Sequence, residues 1–284
     1  MEHAPGPHDE MTGRLLSVVM LVALVGCAGM RSVDTAADAA AGTPDVPRFS
    51  VLTYNVNWGC PQPDLAVGAI RDADADVVCL QETTPAWERH LRQGLSNVYP
   101  HMTFKHSSGA GGLAVLSKRP FREVYYGRSV EGGWFPAWIV AAETPAGTMQ
   151  LVNVHLRPPL ADGGKVSAGA YLSTRDVRRA EIAQAARHVE PGLPTIYLGD
   201  FNENDGGRAV GFLRERGFTD ALKVFDPRAR TWEYRSASSP VKLTGRYDHV
   251  LHSTSLRCLD ARVIHSGASD HYPIVATFEN RNPR

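Results

Sequence analysis

Eight short runs rich in β-branched and aromatic residues, each five to eight residues long, recur between Phe49 and Phe278. They are Phe49–Val56, Asp76–Gln81, Leu113–Ser117, Ala137–Glu143, Met149–His155, Pro194–Leu198, Tyr247–Leu251 and Tyr272–Phe278. Several are nearly continuous apolar runs, the pattern of strands covered on both faces rather than of half-solvated ones. Such strands need helices over them. A polar residue marks one end of most runs: Asn55, Glu82, His155 and Asp200 close a run, whereas Asp248 and the pair Asp270–His271 come just before one. If the second group of strands runs antiparallel to the first, all these residues fall on one edge of the sheets.

Helical segments alternate with the strands. Thr84-Pro85 followed by Trp87, Leu91 and Leu95 reads as an N-cap, a first-turn proline and an apolar stripe at four-residue spacing. Ser173 to Val189 is a longer Ala-rich helix, and Val210 to Arg216 a shorter one stopped by Gly217. Ala137–Glu143 and Met149–His155 form a hairpin across Pro145-Ala146-Gly147. Single strands with helices together with hairpin pairs argue for mixed sheets, and no second linker divides residues 49 to 279.

The segment before Phe49 is of another kind. Arg14 precedes the apolar stretch Leu15–Val25, too short for the roughly 20 residues of a membrane span but suited to the core of an export signal. It ends in Leu24-Val25-Gly26-Cys27, a box resembling that of bacterial lipoproteins, in which Cys27 becomes the lipidated N-terminus; the alternative is a plain secretory signal. Residues 1–27 are thus expected to be a signal peptide and 28–48, rich in Ala, Asp, Gly, Thr and Pro, a flexible tether. Residues 1–10 make a poor charged leader, so translation starts at either Met1 or Met11. The expected location is outside the cytoplasm, membrane-anchored and facing the periplasm or cell surface. Cys60 and Cys79 lie in opposite directions from the polar edge, which argues against a bridge between them, and Cys79 and Cys258 read as small buried hydrophobes.

Thirty basic and thirty acidic side chains cancel, so no general positive field draws in polyanions. Any anion binding must be local.

In chain order the polar ends sit in TYNVNW, VVCLQET, LVNVHL, YLGDFNEND, RYDHVL and SDHYP, with GGLAVLSKRP and GFTDAL between. Together these strings resemble the endonuclease/exonuclease/phosphatase superfamily of DNase I-like enzymes over roughly Phe49 to Glu279, making 49–284 one such domain. The resemblance implies an α/β (α+β) fold, a four-layer sandwich of two mixed β-sheets packed face to face with helices outside. It also implies metal-assisted cleavage of a phosphodiester or phosphomonoester.

Such chemistry needs an activated water and stabilisation of charge on the phosphoryl oxygens. Glu82 offers hard oxygen ligands for Mg²⁺, with Mn²⁺ or Ca²⁺ as alternatives, and Asn55 beside it can hold a ligand or a phosphoryl oxygen. Asp200 is the candidate to orient or deprotonate water, with Asn202 donating from the same turn. Asp248 and His271 make a carboxylate–imidazole pair whose charged ring faces phosphate. By resemblance, His155 is a second donor to that phosphate and Asp270 helps hold the metal. Arg157 is a further candidate phosphate contact. His101, His106, His249 and His252 receive no role.

Thr244-Gly245-Arg246-Tyr247 before Asp248 departs from the inositol-phosphatase pattern, and His155 fits the DNase I and sphingomyelinase branches better than the abasic-site enzymes. The substrate stays open between nucleic acid, a phospholipid and a small phosphorylated metabolite, with a membrane partner through Cys27 and a monomeric protein expected. Trp134, Phe135, Tyr171, Trp232 and Tyr234 are placed in or beside loops, where they could stack on bases or dip into lipid. A rival reading from another class is a non-catalytic surface-displayed binding lipoprotein on the same scaffold.

Overall fold

The computed structural model describes residues 46–160, 168–235 and 242–281. The expected signal peptide, Cys27, both candidate start methionines and the expected tether up to residue 45 lie outside the described residues, as does the Tyr171 side chain. The strands are β1 (Arg48–Asn55), β2 (Val77–Gln81), β3 (His101–Lys105), β4 (Leu113–Ser117), β5 (Phe121–Gly127), β6 (Ala137–Thr144) and β7 (Gly147–His155). They continue with β8 (Thr195–Asp200), β9 (Thr219–Asp220), β10 (Trp232–Arg235), β11 (Lys242–Gly245), β12 (Asp248–His252), β13 (Leu256–Val263) and β14 (Ile274–Asn280). The helices are α1 (Pro63–Ala73), α2 (Pro85–Leu95), α3 (Ala168–Ser173), α4 (Arg175–Ala186), α5 (Arg208–Arg214) and α6 (Ala221–Phe225).

Two six-stranded mixed sheets carry the fold, one ordered β13-β14-β1-β2-β4-β3 and the other β5-β6-β7-β8-β12-β9. Alternation along each strand sorts the side chains into layers. Val51, Val77, Cys79 and Val115 of the first sheet meet Val140, Leu151, Ile196, Leu198 and Val250 of the second in a shared core. Their neighbours Leu52, Tyr54, Val78, Leu80 and Leu116 turn outward to Ile70, Trp87, Leu91 and Leu95 of α1 and α2. Ile139, Val152, Val154, Tyr197 and Leu251 likewise turn to Ile182, Ala185, Val210 and Leu213 of α4 and α5. The result is the four-layer sandwich of the sequence-based expectation.

Strand directions gather the polar ends. β1 and β2 are parallel, as are β7 and β8, while β14 runs antiparallel to β1 and β12 antiparallel to β8. The ends of the first four strands and the beginnings of the last two therefore share one edge. Pairing fixes this to the residue, with His155 and Asp248 both opposite Asp200.

Several elements differ from the sequence reading. Trp232 and Tyr234 belong to β10, which pairs with β11 as a separate hairpin, so they are strand rather than loop residues. Cys258 is half-buried in β13 instead of fully buried. Cys60, Cys79 and Cys258 are all free thiols.

Candidate active site

Between the two sheets the inward residues change character toward the shared edge. On β1 they run Phe49, Val51, Thr53, Asn55; on β7, Leu151, Asn153, His155; on β8, Ile196, Leu198, Asp200. Apolar core thus gives way to an amide floor and then to acids and imidazoles. In the floor, Gln81 donates to Asn153 Oδ1 at 2.8 Å, and Asn153 Nδ2 donates to the Leu80 and Ala114 carbonyls, tying the sheets together. Buried amides are tolerated there because each finds partners.

Glu82 follows inward-facing Gln81, so a continued pleat would send it toward α2. Its φ of 61° turns the chain instead, and Oε1 accepts a 2.9 Å hydrogen bond from Asn55 Nδ2. A non-glycine residue in this left-handed region is held by its surroundings. Trp58 N donates to Glu82 Oε2 at 3.1 Å, and Gly112 lets the next segment close in, since a Cβ there would meet the Thr83 carbonyl oxygen at 1.9 Å. Gly199 plays a similar part beside Asp200, where a Cβ would lie 1.9 Å from the Val154 carbonyl oxygen.

Asp200 is the hub. Oδ1 accepts the Asn202 N–H at 2.8 Å, and Oδ2 accepts Asn55 Nδ2 at 3.1 Å. His155 Nε2 stands 3.5 Å and His271 Nε2 3.7 Å from the same Oδ2. Burial holds the Asp200 carboxyl above the usual range, with the His271 charge opposing it and the neighbouring Asp248 adding to it. Glu82 is raised as well, chiefly by burial and against its Asn55 and Trp58 hydrogen bonds.

The two imidazoles differ. His271 Nδ1 meets Asp248 Oδ2 at 2.9 Å; burial opposes its charge, but Asp248 and Asp200 outweigh it and push the ring up to about 10. His155 has Nδ1 toward the Ala110 carbonyl at 3.2 Å and lies 4.1 Å from the Phe135 ring, centroid to centroid, with 20° between the planes. Its burial lowers the pKa despite Asp200. His271 is the charged ring and His155 the neutral one.

Asp270 is reached from two sides, Asn57 Nδ2 donating to Oδ1 and Trp232 Nε1 to Oδ2, each at 2.9 Å. Ser269 Oγ donates to the Asn55 carbonyl at 2.8 Å and accepts the His271 N–H at 3.1 Å, locking the SDHYP turn onto β1. Thr231 Oγ1 accepts the N–H groups of Tyr247 and Asp248. Asn57, Trp58, Thr231 and Ser269 are supports to which the sequence reading gave no role, and Trp232, read there as an aromatic for bases or lipid, is instead a hydrogen-bond donor to Asp270. Asn57, Trp58 and Ser269 lie inside the quoted strings; Trp232 is 38 positions from its partner, and nothing local announces the pairing.

All eight residues expected at the cleft are therefore brought to one edge. Arg157 has a different occupation: its Nε donates to the Gly132 carbonyl at 3.0 Å and its guanidinium lies 3.4 Å from the Trp134 ring centre. It braces the 128–136 loop. His249, given no role, is buried between Asp220 and the Glu203 carbonyl, a structural use of both ring nitrogens.

The donor set suits a hard divalent cation. Four carboxylates, Glu82, Asp200, Asp248 and Asp270, share the cleft with two imidazoles, and burial, which raises Glu82 and Asp200, deprives their charged forms of hydration that a bound cation would replace. Asp200, Asp248 and His271 offer ligand atoms within 4.8 Å of one another, although Asp248 and His271 Nδ1 already bond each other. Glu82 and Asp270 are joined through the Asn57–Trp58 turn. Asn55 as placed presents its amide nitrogen to the acids, so ligation through oxygen requires the amide to turn over.

Residues 52–271 match the model of the Endonuclease/Exonuclease/phosphatase family. No curated protein matches the chain by sequence. Among solved structures, an endonuclease/exonuclease/phosphatase from Beutenbergia cavernae DSM 12333 superposes with a TM-score of 0.61 at 19% identity, covering 84% of this chain and 72% of that one. An AP endonuclease from Archaeoglobus fulgidus gives 0.61 at 20% identity over 80% and 98%, and D. rerio TDP2 complexed with single strand DNA product gives 0.62 at 16% over 82% and 99%. At these identities the likeness is one of fold.

Proposed function

The chain belongs to the endonuclease/exonuclease/phosphatase family, whose members hydrolyse phosphoester bonds, and from that premise we propose that its cleft is a divalent-metal-dependent phosphodiesterase site. The observation that carries the reading is the gathering of Asn55, Glu82, His155, Asp200, Asn202, Asp248, Asp270 and His271 from both sheets on one edge. Glu82 and Asp270, with Asn55, would hold Mg²⁺, or Mn²⁺ or Ca²⁺ in its place. When bound, the ion supplies Lewis-acid stabilisation of the phosphoryl oxygens.

Asp200, its pKa raised by burial, is the base that orients the attacking water and takes up its proton at Oδ2. Asn202, held by its N–H on Asp200 and by Nδ2 on the Leu156 carbonyl, fixes the turn beside that water. His271 donates from Nε2 to a phosphoryl oxygen, because Asp248 holds Nδ1 and keeps the ring charged at neutral pH. His155 already gives Nδ1–H to Ala110, so donation from Nε2 requires the charged ring; an incoming phosphate adds to the pull of Asp200 in that direction.

The test is hydrolysis of bis(p-nitrophenyl) phosphate with and without chelator. Turnover that survives chelation, or that Asp200→Ala or His271→Ala leaves intact, overturns the assignment. A panel of plasmid DNA, RNA, sphingomyelin and a phosphomonoester then identifies the natural ester class. Mg²⁺ calorimetry separates this reading from the non-catalytic binding lipoprotein, which has no use for a cation at Glu82.

The proposal places the enzyme outside the cytoplasm as a lipoprotein attached through Cys27, on the strength of the Leu24-Val25-Gly26-Cys27 box. Among the described residues no helix is long and apolar enough to cross a membrane. Detergent-phase partition that Cys27→Ala abolishes supports the attachment; wild-type protein in the aqueous phase refutes it.

A further inference from the structure

Glu181 on α4 takes no part in the chemistry above, yet it is a buried carboxyl that reaches two segments flanking His155. Its Oε2 accepts the Arg157 backbone N–H at 2.8 Å, two residues after His155, and its Oε1 accepts the Ser129 hydroxyl. Arg178, on the same face of α4, donates to the Arg157 carbonyl at 3.0 Å. The backbone of residue 157 is thus held at its N–H and at its C=O by one helix. Ser129 lies at the start of the 128–136 loop, and the Arg157 side chain fastens the middle of that loop through the Gly132 carbonyl and the Trp134 ring. Gln184, one turn further along α4, donates to the Arg128 carbonyl at 3.0 Å. The far end of the loop lays Phe135 against the His155 ring, 4.1 Å between centroids.

We propose that Glu181 is a positioning residue for His155: by holding Ser129 and the Arg157 N–H together it seats the 128–136 loop, whose Phe135 fixes the plane of the imidazole. The proposal rests on the phosphodiesterase reading only for the consequence in turnover; the seating itself does not depend on it.

A glutamine amide could accept the Arg157 N–H through its oxygen and donate through its nitrogen to Ser129 Oγ, keeping both contacts without titrating, so the carboxyl adds a sensitivity to pH. The charged groups facing it are Arg178 on its own helix and Arg157 from the segment after β7. Burial outweighs both, and pushes Glu181 from 4.5 up to about 7. An acid whose folded value is raised binds its proton more tightly in the folded state. The seated loop is therefore most stable below about 4.5 and loses stability as pH rises through about 7, where the ionised carboxylate draws water into the seat.

Amide hydrogen exchange of the full chain without substrate tests this, with protection of residues 128–136 corrected for intrinsic rates from pH 5.5 to 8.5. Wild-type protection in the loop is expected to fall about fivefold across pH 7, and Glu181→Gln to flatten the change. A wild-type profile with no step, or the same step in Glu181→Gln, overturns the proposal. In a turnover assay Glu181→Ala lowers kcat on the order of tenfold, and Glu181→Gln restores it while removing the loss of rate above pH 7. Wild-type kcat in Glu181→Ala also overturns it; if that variant fails to fold, Glu181→Gln carries the test alone. A seated loop in a protein that hydrolyses no phosphoester leaves the positioning intact and removes the enzymatic reading.

Discussion

Behind the first sheet, α1 and α2 meet the strands through Ile70, Trp87, Leu91 and Leu95, with Tyr99 completing an apolar layer. Behind the second, α4 and α5 set Ile182, Val210 and Leu213 beside Arg178, Glu181 and Glu203, charged groups nearly removed from water. Arg178 Nε donates to Glu203 Oε2 at 3.0 Å, and Glu203 Oε1 accepts the Ala209 and Val210 N–H groups at the start of α5. Apolar packing is indifferent to direction and suits helices that mainly cover strands, α2 reaching the site through the neutral Trp87 Nε1 bond to the Asn57 carbonyl at 3.1 Å. Hydrogen-bonded charges are directional. The helix layer that must also fix the segments after His155 and Asp200 is the one that contains them.

The largest test of this contrast removes one chemical group from each half. Asp200→Ala from the second sheet is expected to lower turnover by about 10² to 10⁴. Glu82→Ala from the first is expected to abolish the Mg²⁺ signal in calorimetry, and retained binding would show that Glu82 is not needed to hold the ion. Next, Arg178→Ala should cost about 3–5 kcal/mol in urea unfolding, because it strands Glu203 as a buried charge. The double change Arg178→Met with Glu203→Leu sharpens the point: stability should largely return while turnover stays low, and recovery of both would reduce the pair to filler. Leu91→Ala, behind the first sheet, should cost about 2–5 kcal/mol through its cavity with kcat unchanged. A kcat effect there would erase the distinction between the layers. The smallest effect is Thr84→Ala, which loses the cap on the Trp87 N–H and about 1 kcal/mol of stability.

The central strands and the polar edge were legible because buried parallel strands write continuous apolar runs, and each run ended on a residue that packing does not require. β3, β5 and β13 went unread for the converse reason. β3 and β5 are edge strands at half-exposed positions, and β13, at the other edge, carries Arg257, Asp260 and Arg262 in its length. Partial solvation dilutes the apolar signal. Helix α1 was also missed, although Pro63 stands in its first turn and Ala66, Val67 and Ile70 form its buried face. In the site, the identities were readable and the aims were not. Glu82 is turned inward by a positive φ, and Arg157 is drawn to Gly132 by a loop whose path no local pattern describes. The Arg178–Glu203 and Glu181–Ser129 contacts span 25 and 52 positions and are products of tertiary packing.

β1 enters the domain at Arg48 and delivers Asn55 to the cleft, so its two ends stand about 23 Å apart at roughly 3.3 Å per residue. Arg48 therefore stands at the end of the strand remote from the cleft, and the register with β2 and β14 rather than anything at that end holds Asn55 in place.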